Sequence, residues 1–327
     1  SVVYPTWIRR LAGIFIQDVP AAQLSTESTV NGFSPKQIYL AGSYKSQDLF
    51  FAQAIVPGTP TQIYLKPVSL GMTNIGYTGA NMTAATLSSV FVAGQAVRIV
   101  DTVGRTQYAT IDTVTGGANP AIQLAASPAL QFRSGSSVGC GINGQGEDSA
   151  ISVVNIVRYD FRNLNDPANY PGFAPMFRGG PSYESGRREL VREQLDVSGN
   201  VVAGSLELIA EYAVDLGFDL LVAPANSTGK LLRVSGGDVS GYAGSPASTP
   251  AGQGPQLIRA VHAWLTTRSQ EADRTSALSL TPTVAVPGPN KLRMSLDPTD
   301  ATKGPFARLR TLQSTITLNN QALANWQ

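Results

Sequence analysis

Four carboxylates recur at every fourth residue in the second half of this 327-residue chain: Glu207, Glu211, Asp215 and Asp219. On a helix that spacing makes one acidic stripe, of the kind that holds metal ions inside helical bundles. The residues between them argue for a different backbone. Leu208, Ala210, Tyr212, Val214, Leu216, Phe218, Leu220 and Val222 occupy every second position, and period two over this length marks a strand with one buried face. A helix would spread these side chains around most of its circumference. It would also place Gly217 in its interior, at a cost of about 1 kcal/mol. The expectation is a long strand or a bent strand pair. Leu208, Tyr212, Val214, Leu216 and Phe218 then point into the core, and the carboxylates form a solvated row without a metal.

The other spacings that could do chemistry lack their structural context. Gly139 to Gly144, "GCGING", matches the dinucleotide fingerprint. That fingerprint needs a helix after it, so that the helix N-terminus meets the pyrophosphate. A strand-like run follows here instead, so the segment reads as a glycine-rich turn. Gly135 to Gly139, "GSSVG", matches a nucleophile elbow, which needs a strand–helix frame and a histidine partner. The chain has one histidine, His262, set among Val261, Ala263 and Trp264; it reads as a structural strand residue. One histidine and one cysteine, Cys140, leave too few ligands for a zinc site. Asp297 and Asp300, in "DPTD", are a weak Ca²⁺ candidate and fit a turn better, because the EF-hand spacing is missing. No catalytic residue, cofactor or essential metal is expected.

Composition sets the class of fold. Only 14% of residues are charged, against a usual figure of about 25%, and glycine and small polar residues fill the gap. That balance suits a β-rich protein with many turns. A net charge of +2, with the basic residues scattered, provides no footprint for nucleic acid. A single cysteine excludes an intrachain disulfide.

The elements that must carry these residues are mostly strands. Residues 6–19, "TWIRRLAGIFIQDV", are the exception: Thr6 can cap a helix, and Trp7, Leu11, Ile14, Phe15 and Ile16 make a broad apolar face that ends before Pro20. "QIYLAG", "DLFFAQAIV" and "TQIYLKPV" read as strands, and "AVRIVDTVGRTQYATIDTV" as a hairpin turning at Gly104. "AISVVNIVRYDF", "QLIRAVHAWLTTRS" and "ARLRTLQSTITLNN" are further strands. "RRELVREQLDVSGNVVAG" is a hairpin with Asp196, Gly199 and Asn200 near its turn. Long loops are expected over 161–188 and 235–256, the latter of low complexity and mobile.

The order of these features resembles the PilW-type minor pilins of type IV pili and, more loosely, the J-class pseudopilins of type II secretion. Gly204, Leu206, Glu207, Leu208, Tyr212, Val214 and Asp215 are similar to that family's G-V-E-x-L-x-x-x-Y-x-V-D stretch. Ile258, Arg259, Ala260, Val261, Trp264, Leu265, Arg268, Ser269, Glu271, Asp273 and Arg274 follow its next strand and the charges after it. Phe306, Arg308, Arg310, Thr315, Leu318 and Asn319 fit its last strand loosely. "FIQDVPAA" is similar to the end of its helix, and "FVAGQAVRIVD" to an internal strand. The C-terminal third carries most of the likeness, through packing positions.

The resemblance implies an α+β, β-rich head of two antiparallel sheets with one N-terminal helix packed on a sheet. Residues 1–24 would be the C-terminal part of the pilin helix and 25–327 a single globular head. It implies a structural, non-enzymatic role in priming pilus assembly and in the tip complex. The partners would be other minor pilins and the major pilin, with a tip adhesin beside them. The head would stand in the periplasm, anchored in the inner membrane by a hydrophobic helix preceding this sequence, and at the cell surface after assembly. Trp7, Ile8, Arg9, Leu11, Ile14 and Phe15 would form the partner face, because a helix apolar on two sides needs two neighbours. The competing reading is a β-rich surface or phage-type adhesion module that binds through its loops. A hydrolase is disfavoured by the scarcity of histidine.

Overall fold

The computed structural model describes residues 13–77, 82–133, 141–143, 146–177, 186–223, 230–243, 253–273, 291–302 and 304–318. Among the described residues the chain is strand-rich, with 44% in strands and 13% in helices. The strands in order are β1 (Ile14–Asp18), β2 (Lys36–Gly42), β3 (Phe50–Val56), β4 (Gln62–Leu65), β5 (Ala96–Val100) and β6 (Thr106–Thr115). Next come β7 (Ala121–Leu124), β8 (Phe132–Arg133), β9 (Ile142–Asn143), β10 (Ala150–Arg162), β11 (Glu189–Leu195) and β12 (Glu207–Ala210). The last are β13 (Ala213–Val222), β14 (Leu232–Val234), β15 (Ile258–Arg268), β16 (Arg293–Ser295) and β17 (Phe306–Thr317). Short helices α1 (Thr26–Val30), α2 (Leu70–Asn74), α3 (Ala84–Ser88) and α4 (Val239–Ala243) lie between them. No helix among the described residues is long and apolar enough to cross a membrane.

The expected helix over 6–19, and with it the fold of a helix laid on a sheet, is overturned. Residues 14–18 form β1, which pairs antiparallel with β2 from Ile14↔Leu40 to Asp18↔Lys36. Burial alternates along it: Ile14 and Ile16 are buried, Phe15 is half-buried and Gln17 is exposed. Both a helix and a strand can accommodate so short an apolar run. Two β-branched residues around an aromatic favour the pleated form once a partner strand is present. Phe15 then meets Tyr39 across the pair, ring edge to face at 5.5 Å. Residues 1–12, including Trp7, Ile8, Arg9 and Leu11, lie outside the described residues.

The chain divides into two compact units, built mainly from Ala41–Val157 with Gln194–Val202, and from Arg10–Leu40, Arg158–Glu193 and Ala203–Gln327. In the first unit the strands close on themselves. β10 pairs with β3 through Ala150↔Phe51 and Ile151↔Phe50. It also pairs with β5 from Ala150↔Val100 to Val154↔Ala96. β3, β4, β7, β6 and β5 complete the circuit, every pairing antiparallel. The result is a six-stranded barrel, a closure that leaves none of its strands as a bare edge. Alternation fills it: Ile63 and Leu65, Val97 and Ile99, Ala109 and Ile111, Ile122 and Leu124, and Ile151 and Val153 all point inward. Phe50 joins them and meets Phe91 edge to face at 4.8 Å. Gly104, at φ +84°, makes the β5–β6 turn, as the sequence suggested.

The second unit has two sheets. One runs β1-β2-β10-β11-β12, and the other β14-β13-β15-β17-β16. A shared core joins Ile14, Ile16, Ile38, Phe161 and Leu190 from the first to Leu216, Phe218, Leu220, Val222, Ile258 and Val261 from the second. The segment expected as a mobile loop over 235–256 contributes to this core, because α4 buries Val239, Tyr242 and Ala243 there; residues 244–252 lie outside the described residues. Within the loop expected over 161–188, residues 161 and 162 still belong to β10. Tyr170 and Phe173 cover Leu164 and Val191.

Candidate functional site

β12 and β13 are the bent strand pair anticipated for 207–222. The break falls at Tyr212, whose φ of +53° takes the backbone out of the strand. Arg187 and Arg268 both lie over its ring, with guanidinium carbons 3.8 and 4.9 Å from the centroid. Beyond the break, Leu216, Phe218 and Leu220 enter the core. Val214 sits at a bulge between Ala213 and Asp215 and faces a separate cluster with Phe33, Met294 and Leu309. Tyr212 is buried as well, whereas Leu208 is only half-buried.

The solvated carboxylate row requires correction. Glu207 and Glu211 are exposed and meet Arg192 at 2.8 Å and Arg187 at 3.3 Å. Asp215 and Asp219 are each only 5% exposed. Period two put them on the face away from the core, and that face is itself covered. Asp215 accepts a hydrogen bond from Trp264 Nε1 at 2.9 Å. Asp219 accepts two from Arg233, at 2.9 and 2.5 Å.

These side chains belong to one polar patch on the second sheet. Antiparallel register aligns Gly217 with Trp264 and Gln313, Asp219 with His262 and Thr315, and Asp215 with Thr266 and Thr311. Glycine is required at 217 by a close approach. A Cβ there would lie 2.0 Å from Trp264 Cζ2, so the indole crosses the space that any other residue would fill. His262 Nδ1 lies 3.0 Å from Thr315 Oγ1, a strand-to-strand bond consistent with a structural histidine. Asp215, Gly217, Asp219, Arg233, His262, Trp264 and Gln313 line a cleft of about 630 Å³ together with residues that include Phe33, Lys36 and Ser235. Lys36 is ion-paired to Asp18.

Burial pushes the Asp215 carboxyl above its ordinary value of 3.8, against the opposing pull of the Trp264 hydrogen bond and the Lys36 charge. The folded state therefore holds the Asp215 proton to higher pH than the unfolded chain does. More protons bound in the folded state means that stability falls as pH rises through the window above about 4. Asp215→Asn does not titrate and keeps an oxygen for Trp264. We expect its urea midpoint, measured from pH 4 to 8, to fall less steeply than the wild type's. Burial also raises the carboxyls of Asp160 and Glu189, so part of the slope will remain. Parallel pH profiles would refute the assignment.

The other predicted positions do not converge on this cleft. Ile14 lies in the core and Phe15 packs on Tyr39, so neither presents a helical partner face. Asp297 and Asp300 each cap a turn, accepting from Thr299 N and Thr302 N at 2.8 Å. No group of metal-ligating side chains forms among the described residues. "GSSVG" and Cys140 lie outside the described residues; of "GCGING", Ile142 and Asn143 form β9, parallel to β8. Gly217, Trp264, Arg233, Lys36 and Gln313 were missed as a site. Their one signal is a lone tryptophan and a lone glycine in two apolar strands, and it has meaning only once the register is known.

A second charged cluster lies elsewhere in this unit. Glu193 accepts from Arg158 at 2.6 and 3.1 Å and from Arg162 at 3.1 Å. Asp160 accepts from Arg162 at 2.5 Å. Two cations and two anions balance in a buried network, which marks it as structural. No family model matches this chain, and neither a curated protein nor a solved structure matches it.

Proposed function

We propose that this chain is the head of a minor-pilin-type subunit, a structural and non-catalytic component of a surface fibre. One observation supports this reading most. The three separated segments on which the pilin resemblance rests become neighbours in a single antiparallel sheet: β13, then β15, then β17. Positions shared with the family pattern act there as packing and pairing residues. Val214 and Tyr212 are buried, Val261 enters the core, and Arg308 pairs with Asp273 at 3.1 Å. A sheet assembled from three distant stretches is consistent with a motif maintained for folding rather than for catalysis.

The partners on this reading are other minor pilins and the major pilin, together with a tip adhesin. With 14–18 in a strand, contacts to them do not run along an apolar helical face at Ile14 and Phe15. The test is affinity capture of the full-length chain co-expressed with pilins from its own gene cluster. Stoichiometric recovery of a pilin neighbour is expected, and recovery of the chain alone would count against the reading.

A second reading, a β-rich surface or phage-type adhesion module, is favoured by the cleft over Gly217 and Trp264. Trp264 lines that cleft beside the polar Ser235 and Gln313, and its volume falls within the range of about 300–1,000 Å³ usual for small-ligand pockets.

A further inference from the structure

We propose that the cleft over Gly217 binds a saccharide, with one uncharged pyranose ring stacked on Trp264. The inference rests on the adhesion reading of this cleft and names its ligand. It begins with the indole. Glycine at 217 lets the ring lie across β13, and the Nε1–H bond to Asp215 fixes its orientation. Trp264 nonetheless remains half-exposed and lines the cleft. A half-exposed, immobilised aromatic plane is an apolar floor.

The rim is polar and electrically quiet. Arg233 is paired with Asp219, Lys36 with Asp18, and His262 with Thr315. Cations already met within the protein leave little field to attract a phosphate, and the one carboxyl without an ion pair, Asp215, is buried. The paired groups still provide lone pairs and N–H groups at the rim, as does the exposed Gln313. A pyranose has the matching chemistry. Its C–H face is apolar and stacks on an aromatic plane, while its ring of hydroxyls both donates and accepts. A planar aromatic ligand would waste the rim, an anionic one would find Arg233 and Lys36 already paired, and a cationic one would find only Asp215, which is buried and accepts from Trp264 Nε1.

An open cleft with a single stacking platform binds weakly, with a Kd on the order of 1 mM. The test titrates the intact chain with the methyl glycosides of glucose, galactose, mannose and N-acetylglucosamine. Tetramethylammonium and inorganic phosphate serve as charged probes. The readouts are the broadening of the probe's own NMR signals, which every variant reports, and in the wild type and Gln313→Ala the indole N–H resonance of Trp264, assigned by its loss in Trp264→Phe. Saturable binding of at least one glycoside is expected. Trp264→Ala should weaken it at least tenfold, and Gln313→Ala, at an exposed strand position that leaves the fold intact, about threefold. Saturable binding of a charged probe without any glycoside would overturn the sugar assignment while keeping the cleft as a binding site. Binding of no probe would remove both the inference and the adhesion reading. Glycoside binding unaltered in both variants would place the sugar elsewhere and overturn the inference.

Discussion

Replacing Glu193 with alanine should destabilise the protein by about 3–5 kcal/mol, the usual cost of removing one partner from a buried ion network. The Glu193 side chain is 3% exposed, and it faces Arg158 and Arg162, at 14% and 10%. Without it, Asp160 alone must balance two guanidinium groups, at 3.6 and 2.5 Å. One positive charge is then left in a place that water barely reaches. Because β10 and β11 carry all four residues, the damage falls on a strand pair inside a sheet. Denaturant unfolding of Glu193→Ala beside Arg192→Ala is the measurement. Arg192 bonds an exposed Glu207, and its loss should cost under about 1 kcal/mol. Equal midpoints for the two variants would show that the buried network contributes no more than a surface pair.

Valine at position 217 should be the other costly change, at about 2–4 kcal/mol, through overpacking and a broken hydrogen bond. Gly217 has an ordinary strand conformation, so valine would suit the backbone; the obstacle is the indole 2.0 Å from the new Cβ. Trp264 must swing away, and Asp215 loses its Nε1–H donor while staying buried. The test is a double-mutant cycle with Trp264→Ala, which removes the obstruction. Gly217→Val should cost far less in that background than in the wild type, and simple additivity would mean the two residues do not interact.

Strand segments were legible wherever alternation ran for five residues or more against turn residues. The β5–β6 hairpin with Gly104, the strand through 150–161 and the two long strands around His262 and Leu312 followed from local pattern alone. So did the core-facing parity of Leu216, Phe218 and Leu220, since the pleat allows one face or the other for the whole row. The run Ile14-Phe15-Ile16 was not decided locally. Three apolar residues satisfy either period, and the pairing with β2 selects the strand.

Closure of the barrel lay beyond any local signal, because β10 must pair at once with β3 and β5, strands about 100 and 50 residues earlier in the chain. Sequence by itself determined which side chains in 207–222 share a face, for that is a property of backbone pleating. Only the tertiary structure decided what covers each face. Asp215 and Asp219 stand on the side away from the core and are buried all the same, because Trp264 and Arg233 arrive there from neighbouring strands. Register and neighbour identity come from long-range pairing, which a pattern read along one strand does not contain.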